Sequence, residues 1–155
     1  MEYRVCRNNP APYNDLSGKI SLLGLGTMRL PLRDAADQTS IDEEKAQEIF
    51  DYAYAHGVNY FDTAYPYHGG MSEKFCGKAL AKYPRASYHL ASKLPGWLLK
   101  CDEDVPRIFN EQLANCCTDY FDFYLAHSVH ESSWSNYVKY HAYDQRSEER
   151  RVGKE

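Results

Sequence analysis

The stretch NYFDTAYPYHGGMSE, residues 59–73, begins as a buried strand and ends as something a buried strand would not tolerate. Its apolar run stops at Phe61. Asp62, Thr63 and Ala64 follow, then Tyr65, Pro66 and Tyr67, then His68 with the turn-forming pair Gly69 and Gly70. Paired glycines mark a tight turn because they reach positive φ without steric cost. A carboxylate and a phenol five positions apart therefore stand just past the end of an apolar strand.

Outward from this stretch, short apolar runs alternate with amphipathic helical patterns. Upstream, ISLLGLG at residues 20–26 reads as a buried strand. Residues 40–57 read as a helix opened by a Ser40-x-x-Glu43 capping box, with Ala46, Ile49, Phe50 and Ala53 on one face and a stop at Gly57. Downstream, residues 72–84 form a helix capped by Ser72, with Phe75, Cys76, Ala79 and Leu80 inward, ended by Pro84. A strand follows at 88–95, then a helix at 102–117 with Pro106 in its first turn, where the missing N–H costs nothing. Val105, Ile108, Phe109, Leu113 and Cys116 make its apolar stripe, and residues 121–127 are the next strand.

Strand centres fall near residues 23, 60, 90 and 124, a spacing that suits repeated βα units with right-handed crossovers. A parallel sheet is expected, preceded by a small hairpin made by residues 2–6 and 19–21. Two architectures fit, a doubly wound sheet and a (β/α)8 barrel. GLGTM, from Gly24 to Met28, lacks the last glycine of a dinucleotide-binding GxGxxG and runs into a long loop, which favours the barrel.

Composition limits the function classes. At 155 residues with 43% apolar and 14% aromatic content, the chain has enough apolar material for a core. It has no apolar run of about 18 residues and no apolar leader, so a cytoplasmic protein without a membrane partner is expected. A net charge of −4 argues against a nucleic-acid surface. The five cysteines, Cys6, Cys76, Cys101, Cys116 and Cys117, show no CxxC spacing and read as buried thiols. The last ten residues, RSEERRVGKE, break with the composition before them and resemble the translation of a common sequencing adapter, AGA TCG GAA GAG CGT CGT GTA GGG AAA GAG. Residues 1–145 are then read as the front half of a longer domain, and 146–155 as a scar outside the fold.

In a parallel barrel the C-terminal ends of the strands gather around one cavity. Here those ends carry Gly26, Thr27 and Met28, then Asp62 with Tyr67 beyond it, then Lys93, then His127. A lone lysine or histidine at a strand end is more often a solvated edge; four polar ends in succession are harder to read that way. The types also cooperate. A tyrosine gives up its proton more readily beside an ammonium, since a unit charge at about 4 Å and an effective dielectric of about 20 is worth up to roughly 4 kcal/mol. Lys93 supplies that charge, Asp62 holds the lysine, and His127 can orient a carbonyl oxygen. No nucleophile is evident, so the set fits reduction of a carbonyl by an external hydride source.

FDTAYPYHGGMSEKFCGKAL resembles the Asp-Thr-Ala-x-x-Tyr-Gly motif of the aldo-keto reductases, with GLGTMRLP, ASKLP and YLAH similar to their first, lysine and histidine strands. The resemblance covers residues 3–130. It implies a (β/α)8 barrel, of which about four βα units are present, using NADP(H), or less often NAD(H), on a small carbonyl substrate. It implies catalytic positions at Asp62, Tyr67, Lys93 and His127, with Tyr67 as general acid, and a cofactor-binding group of Gly26, Thr27, Met28 and Asp62. His68 departs from the motif, and the YHGGMSE form is similar to a branch that continues into a cysteine-rich iron–sulfur module.

Two rival readings remain at this stage. Asp62, His68, His127 and His130 can be drawn as ligands of a metal-dependent hydrolase, though Gly-Thr-Met stands where a His-x-His pair would be wanted. The barrel can also serve as a non-catalytic binding or regulatory module. Because a half barrel has open edges, the chain alone is expected to associate with itself and to lack activity. The inward faces of Ile20, Leu22, Tyr60, Leu90, Phe123 and Leu125, or of their neighbours, are expected to be half covered.

Overall fold

A computed structural model describes residues 1–4 and 20–142. The sheet follows from the apolar runs. Strands β3 (Leu25–Gly26), β4 (Tyr60–Asp62), β5 (His89–Leu94) and β6 (Phe123–Ala126) pair in parallel in that order. Helices α1 (Glu43–Ala55), α2 (Met71–Leu80) and α3 (Asp104–Asn115) make the crossovers. Ahead of them β1 (Tyr3–Arg4) and β2 (Ile20–Ser21) pair antiparallel, which is the expected hairpin. Its connection, with Cys6, and the tail at 146–155 lie outside the described residues.

Register decides which side chains meet. Leu25, Phe61 and Leu90 form one row across the sheet, and Phe61 and Leu90 are buried under the helices. Phe61 stacks on Phe50 of α1 at 5.3 Å, and Phe75 of α2 meets Phe50 edge-on at 5.4 Å. Burying each such ring contributes about 1.5–3 kcal/mol. The next row, Gly26, Asp62, Ala91 and Phe123, points to the opposite face by the period of two. Ser92 and Tyr124 turn back to the helices, and Lys93 and Leu125 return to the face of Asp62.

Several expectations need correction. Residues 20–26 are not one strand: Ile20–Ser21 belongs to the hairpin and Leu25–Gly26 to the parallel sheet, with Leu22 and Leu23 exposed between them. The Ser21 and Asn59 side chains exchange hydrogen bonds with each other's backbone N–H, at 2.8 and 3.1 Å, and take over from the strand ladder. At Gly24 a Cβ would come within 2.8 Å of the Tyr60 ring, so any side chain there would have to displace that ring. The cap of α1 is Asp42, which accepts from the Lys45 N–H; Ser40 instead closes the preceding loop onto Asp34 and Asp37. Ile49 is 40% exposed, so Ala46 and Phe50 carry the buried face. Gly70, in the left-handed region, precedes α2, and Ser72 lies inside the helix, fully buried. Leu90 packs under the helices rather than on the open face, where Tyr60, Phe123 and the 41%-exposed Leu125 do lie. Cys76 and Cys116 are buried, but Cys101 and Cys117 are exposed. A fourth helix, α4 (Glu131–Lys139), follows β6 and was not read from the sequence. No helix among the described residues is long and apolar enough to cross a membrane.

Candidate active site

The register places Asp62 and Lys93 side by side on the open face of the sheet. Lys93 Nζ lies 2.5 Å from Asp62 Oδ1 and donates to the Thr63 carbonyl at 2.8 Å. The same ammonium sits 4.9 Å from the centroid of the Tyr67 ring. Tyr67 meets the His127 imidazole edge-on at 5.6 Å, and the Trp97 ring lies tilted against the same imidazole at 5.0 Å. All four residues read from the strand ends are thus brought together, and Trp97 joins them. Burial, and then the Lys93 charge, hold the His127 pKa below its ordinary value, against the pull of Asp62. The ring is therefore neutral near neutral pH. Its buried Nδ1 has no hydrogen-bond partner among the described residues.

Tyr67 opens a tight turn, Tyr67–Gly70, in which His68, Gly69 and Gly70 all have positive φ. For His68 that conformation is strained, and two hydrogen bonds hold it. Nδ1 donates to the Gln38 carbonyl at 2.9 Å, and Nε2 accepts from the Leu30 N–H at 3.1 Å. His68 thus staples the loop after β3 to the turn that carries Tyr67. With both ring nitrogens engaged it is not available as a metal ligand, and His130 Nδ1 is bonded to Ser132. Among the described residues no three histidine, cysteine or acidic side chains are grouped to hold a metal ion. The drawn ligand set is not assembled.

Two buried polar groups support the Asp62–Lys93 pair from behind. Under Asp62, the hydroxyls of Thr63, Ser72 and Thr27 form a chain at 3.0 and 2.8 Å that ends on the Asp62 carbonyl at 3.0 Å. Thr27 is fully buried in this chain, whereas Gly26 and the 60%-exposed Met28 face outward. Behind Lys93, the Glu73 carboxylate accepts from Ser92 (2.7 Å), Gln112 (2.6 Å) and Asn115 (3.1 Å). The Gln112 amide also reaches the Lys93 carbonyl at 3.1 Å and accepts from the Tyr124 hydroxyl at 2.5 Å. Sequence reasoning missed this second group. Its signal was there: Gln112 stands between Ile108 and Cys116 at helical spacing, a polar residue inside an apolar stripe.

The arrangement can orient a carbonyl oxygen and deliver a proton to it. No paired nucleophile and base is seen among the described residues, so the group suits a reaction in which the electron pair arrives as hydride from a bound donor. A flat donor has room beside β3: a Cβ at Gly26 would find no heavy atom within 4 Å.

Comparison with known proteins agrees with this geometry. The sequence model described as "Aldo/keto reductase family" matches residues 22–144. L-galactose dehydrogenase of Arabidopsis thaliana is 32% identical over 126 residues, covering 77% of this chain and 38% of that protein. Among solved structures, the thermostable aldo-keto reductase Tm1743, in complex with the inhibitor epalrestat, superposes with a TM-score of 0.64 at 26% identity, over 90% of this chain and 50% of that one. An aldo-keto reductase from Klebsiella pneumoniae in complex with NADPH gives 0.58 at 25% identity, over 79% and 42%. The chain spans about a third of the length of the curated relatives it matches. The iron–sulfur extension has no support among these relatives.

Proposed function

The chain belongs to the aldo/keto reductase family, with the fold of part of its (β/α)8 barrel, and from that premise we propose that the protein carrying it reduces an aldehyde or ketone to an alcohol with NADP(H), or with NAD(H). The observation that supports this reading is the contact group of Lys93, Asp62, Tyr67 and His127 on one face of the sheet. A bound nicotinamide supplies the hydride. Tyr67 is the proton donor to the carbonyl oxygen. Lys93, held by Asp62 and the Thr63 carbonyl, stabilises the charge that develops on the phenol oxygen as its proton leaves. Neutral His127 donates its N–H to the substrate oxygen and aligns it with Tyr67. Gly26, Met28 and Asp62 border the space for the nicotinamide and its ribose, and Thr27 fixes that border through Asp62. The exposed Trp97, against His127, and Leu98 next to it in the chain suit an apolar substituent on the carbonyl.

The 155-residue chain taken alone is proposed to be inactive and to associate with itself. Strands β3 and β6 each have an outer edge with no strand partner among the described residues, and such edges invite pairing with another chain. The experiment for the main reading is Tyr67→Phe in the full-length protein. Loss of the proton donor should lower carbonyl reduction by about 10²–10⁴-fold while affinity for the nicotinamide, read by fluorescence, hardly changes. Near-normal turnover in that variant would remove Tyr67 as the acid.

A further inference from the structure

Tyr137, on α4, is among the largest fully buried side chains, yet it takes no part in the contact group. Its ring lies against Gly96, where a Cβ would come within 2.4 Å of the ring carbon that bears the hydroxyl. That hydroxyl accepts from the Gly96 N–H at 2.9 Å. It shares its one proton between the carbonyl oxygens of Leu94, at 2.8 Å, and His127, at 2.7 Å. The Leu94 carbonyl also accepts from the His127 N–H at 2.9 Å, so both backbone polar groups of His127 are engaged at one point. The neighbouring Asn136 amide donates to the Gly96 carbonyl at 3.1 Å. Gly96 begins the turn Gly96–Leu98, which carries Trp97 to the His127 ring. One phenol therefore joins the loop after β5 to the residue after β6.

We propose that Tyr137 is the positioning residue of His127, fixing through its hydroxyl where the imidazole stands between Tyr67 and Trp97. This rests on the reading of His127 as the group that aligns the carbonyl. The physical reason is the shortness of the anchor. His127 lies past the last paired residue of β6, where a strand end frays unless something outside the ladder holds it. The His127 N–H keeps one bond to the Leu94 carbonyl, the Tyr137 hydroxyl adds the hold on the His127 carbonyl, and the Tyr137 ring is in turn held by close contact with Gly96. Tyr67 meets the imidazole edge-on, Trp97 leans on it from the β5 loop, and Lys93 and Asp62 are the charges that act on it.

The tests use the full-length protein. In the unsubstituted protein, amide exchange by NMR should show the Gly96 N–H, whose acceptor is the Tyr137 hydroxyl, exchanging as slowly as the His127 N–H, whose acceptor is the Leu94 carbonyl that the same hydroxyl donates to. Gly96 exchanging about 100-fold faster than His127 would overturn the proposal. In Tyr137→Phe, which keeps the ring against Gly96, the NMR titration midpoint of His127 should rise toward its ordinary value as the loosened ring gains water and moves away from Lys93. A folded variant with an unmoved midpoint would also overturn it; if the variant does not fold, the exchange rates decide. With turnover as readout, Tyr137→Phe should cost about 10–100-fold in kcat, and next to nothing when added to His127→Ala. An equal loss in both backgrounds means the hydroxyl does not act through His127. Should Tyr67→Phe retain turnover, the functional reading fails, while the exchange and titration results still judge Tyr137.

Discussion

Replacing Gln112 with leucine tests whether the polar group behind Lys93 holds the fold together. Gln112 is fully buried, and leucine has nearly its volume, so packing changes little. The loss is polar. The amide nitrogen serves Glu73 at 2.6 Å, Ser92 at 2.8 Å and the Lys93 carbonyl at 3.1 Å, and the amide oxygen serves Tyr124 at 2.5 Å. In Gln112→Leu the Tyr124 hydroxyl and the Lys93 carbonyl each lose a buried partner, worth about 1–3 kcal/mol apiece, and a buried carboxylate loses one of three donors. We expect a total of about 3–5 kcal/mol, the scale of breaking a buried charged network from one side. At about 2–4 °C per kcal/mol for a chain of this size, the melting temperature should fall by about 6–20 °C. Urea unfolding followed by circular dichroism gives the free energy directly. Removing the carboxylate as well, in Glu73→Leu with Gln112→Leu, should cost about 1–3 kcal/mol less than the two single changes added together. A single-variant loss under about 1 kcal/mol would show that water or relaxation satisfies these groups, and the argument from burial would fail.

Asp122 and the cysteines offer two further checks. Burial works to raise the Asp122 pKa, but the nearby His89 imidazole, 3.4 Å away, and hydrogen bonds from the Leu90 N–H and Arg85 outweigh it, and the net shift is downward. A folded pKa below the unfolded value of about 3.9 means that its stabilisation is present above about pH 4 and is lost as the pH falls through the folded value. Acid titration of stability should therefore be flatter below pH 4 in Asp122→Asn; an unchanged slope would show that the donors do not favour the ionised form. Burial pushes the Cys76 thiol up to about 12 and raises that of Cys116 as well. Iodoacetamide at neutral pH should modify Cys101 and Cys117 in the native protein, and Cys76 and Cys116 only after unfolding, as read by peptide mass spectrometry. Early labelling of Cys76 would contradict its place under the sheet.

The elements most legible in the sequence are those whose physics is local. The apolar run that stops at Phe61 and the strand patterns at 88–95 and 121–127 announced β4, β5 and β6, and their spacing announced parallel pairing. The polar residues at their ends pointed to the candidate site because several fall in succession at the same end of the sheet, where Asp62, Lys93 and His127 meet Tyr67. Misread elements depended on tertiary partners. Ser40 and Ser72 both look like caps, since serine is a good one, yet each found a better acceptor or donor elsewhere: Ser40 in the Asp34 loop, Ser72 under Asp62. The break at Gly24 needed Tyr60 to be seen, and Tyr60 lies 36 residues away. Helix α4 was hidden because its one fully buried large side chain, Tyr137, is polar at the tip, and its apolar residues Trp134 and Val138 are exposed.

What sets the geometry of the contact group is a second layer that the first layer does not reveal. Ser72 and Glu73 are neighbours in the first turn of α2, and each supports a different half of the ion pair. Ser72 works through Thr27 and Thr63 on the backbone of Asp62. Glu73 works through Ser92 and Gln112 on the backbone at Lys93. One helical turn thus holds the two strand ends at a fixed separation. A strand-end lysine has four rotatable bonds, and its head group settles only where its base is fixed and its partners are in reach. Tyr137 does for the end of β6 what Ser72 and Glu73 do for the ends of β4 and β5. The three supports lie on the helix side of the sheet and all come from the described residues. The relative positions of Asp62, Lys93 and His127 are therefore held by helices packed behind their strands, independently of whatever covers the open face. Substitutions at these supports should change how well the group is aligned, and substitutions at Trp97 and Leu98 should change what it accepts.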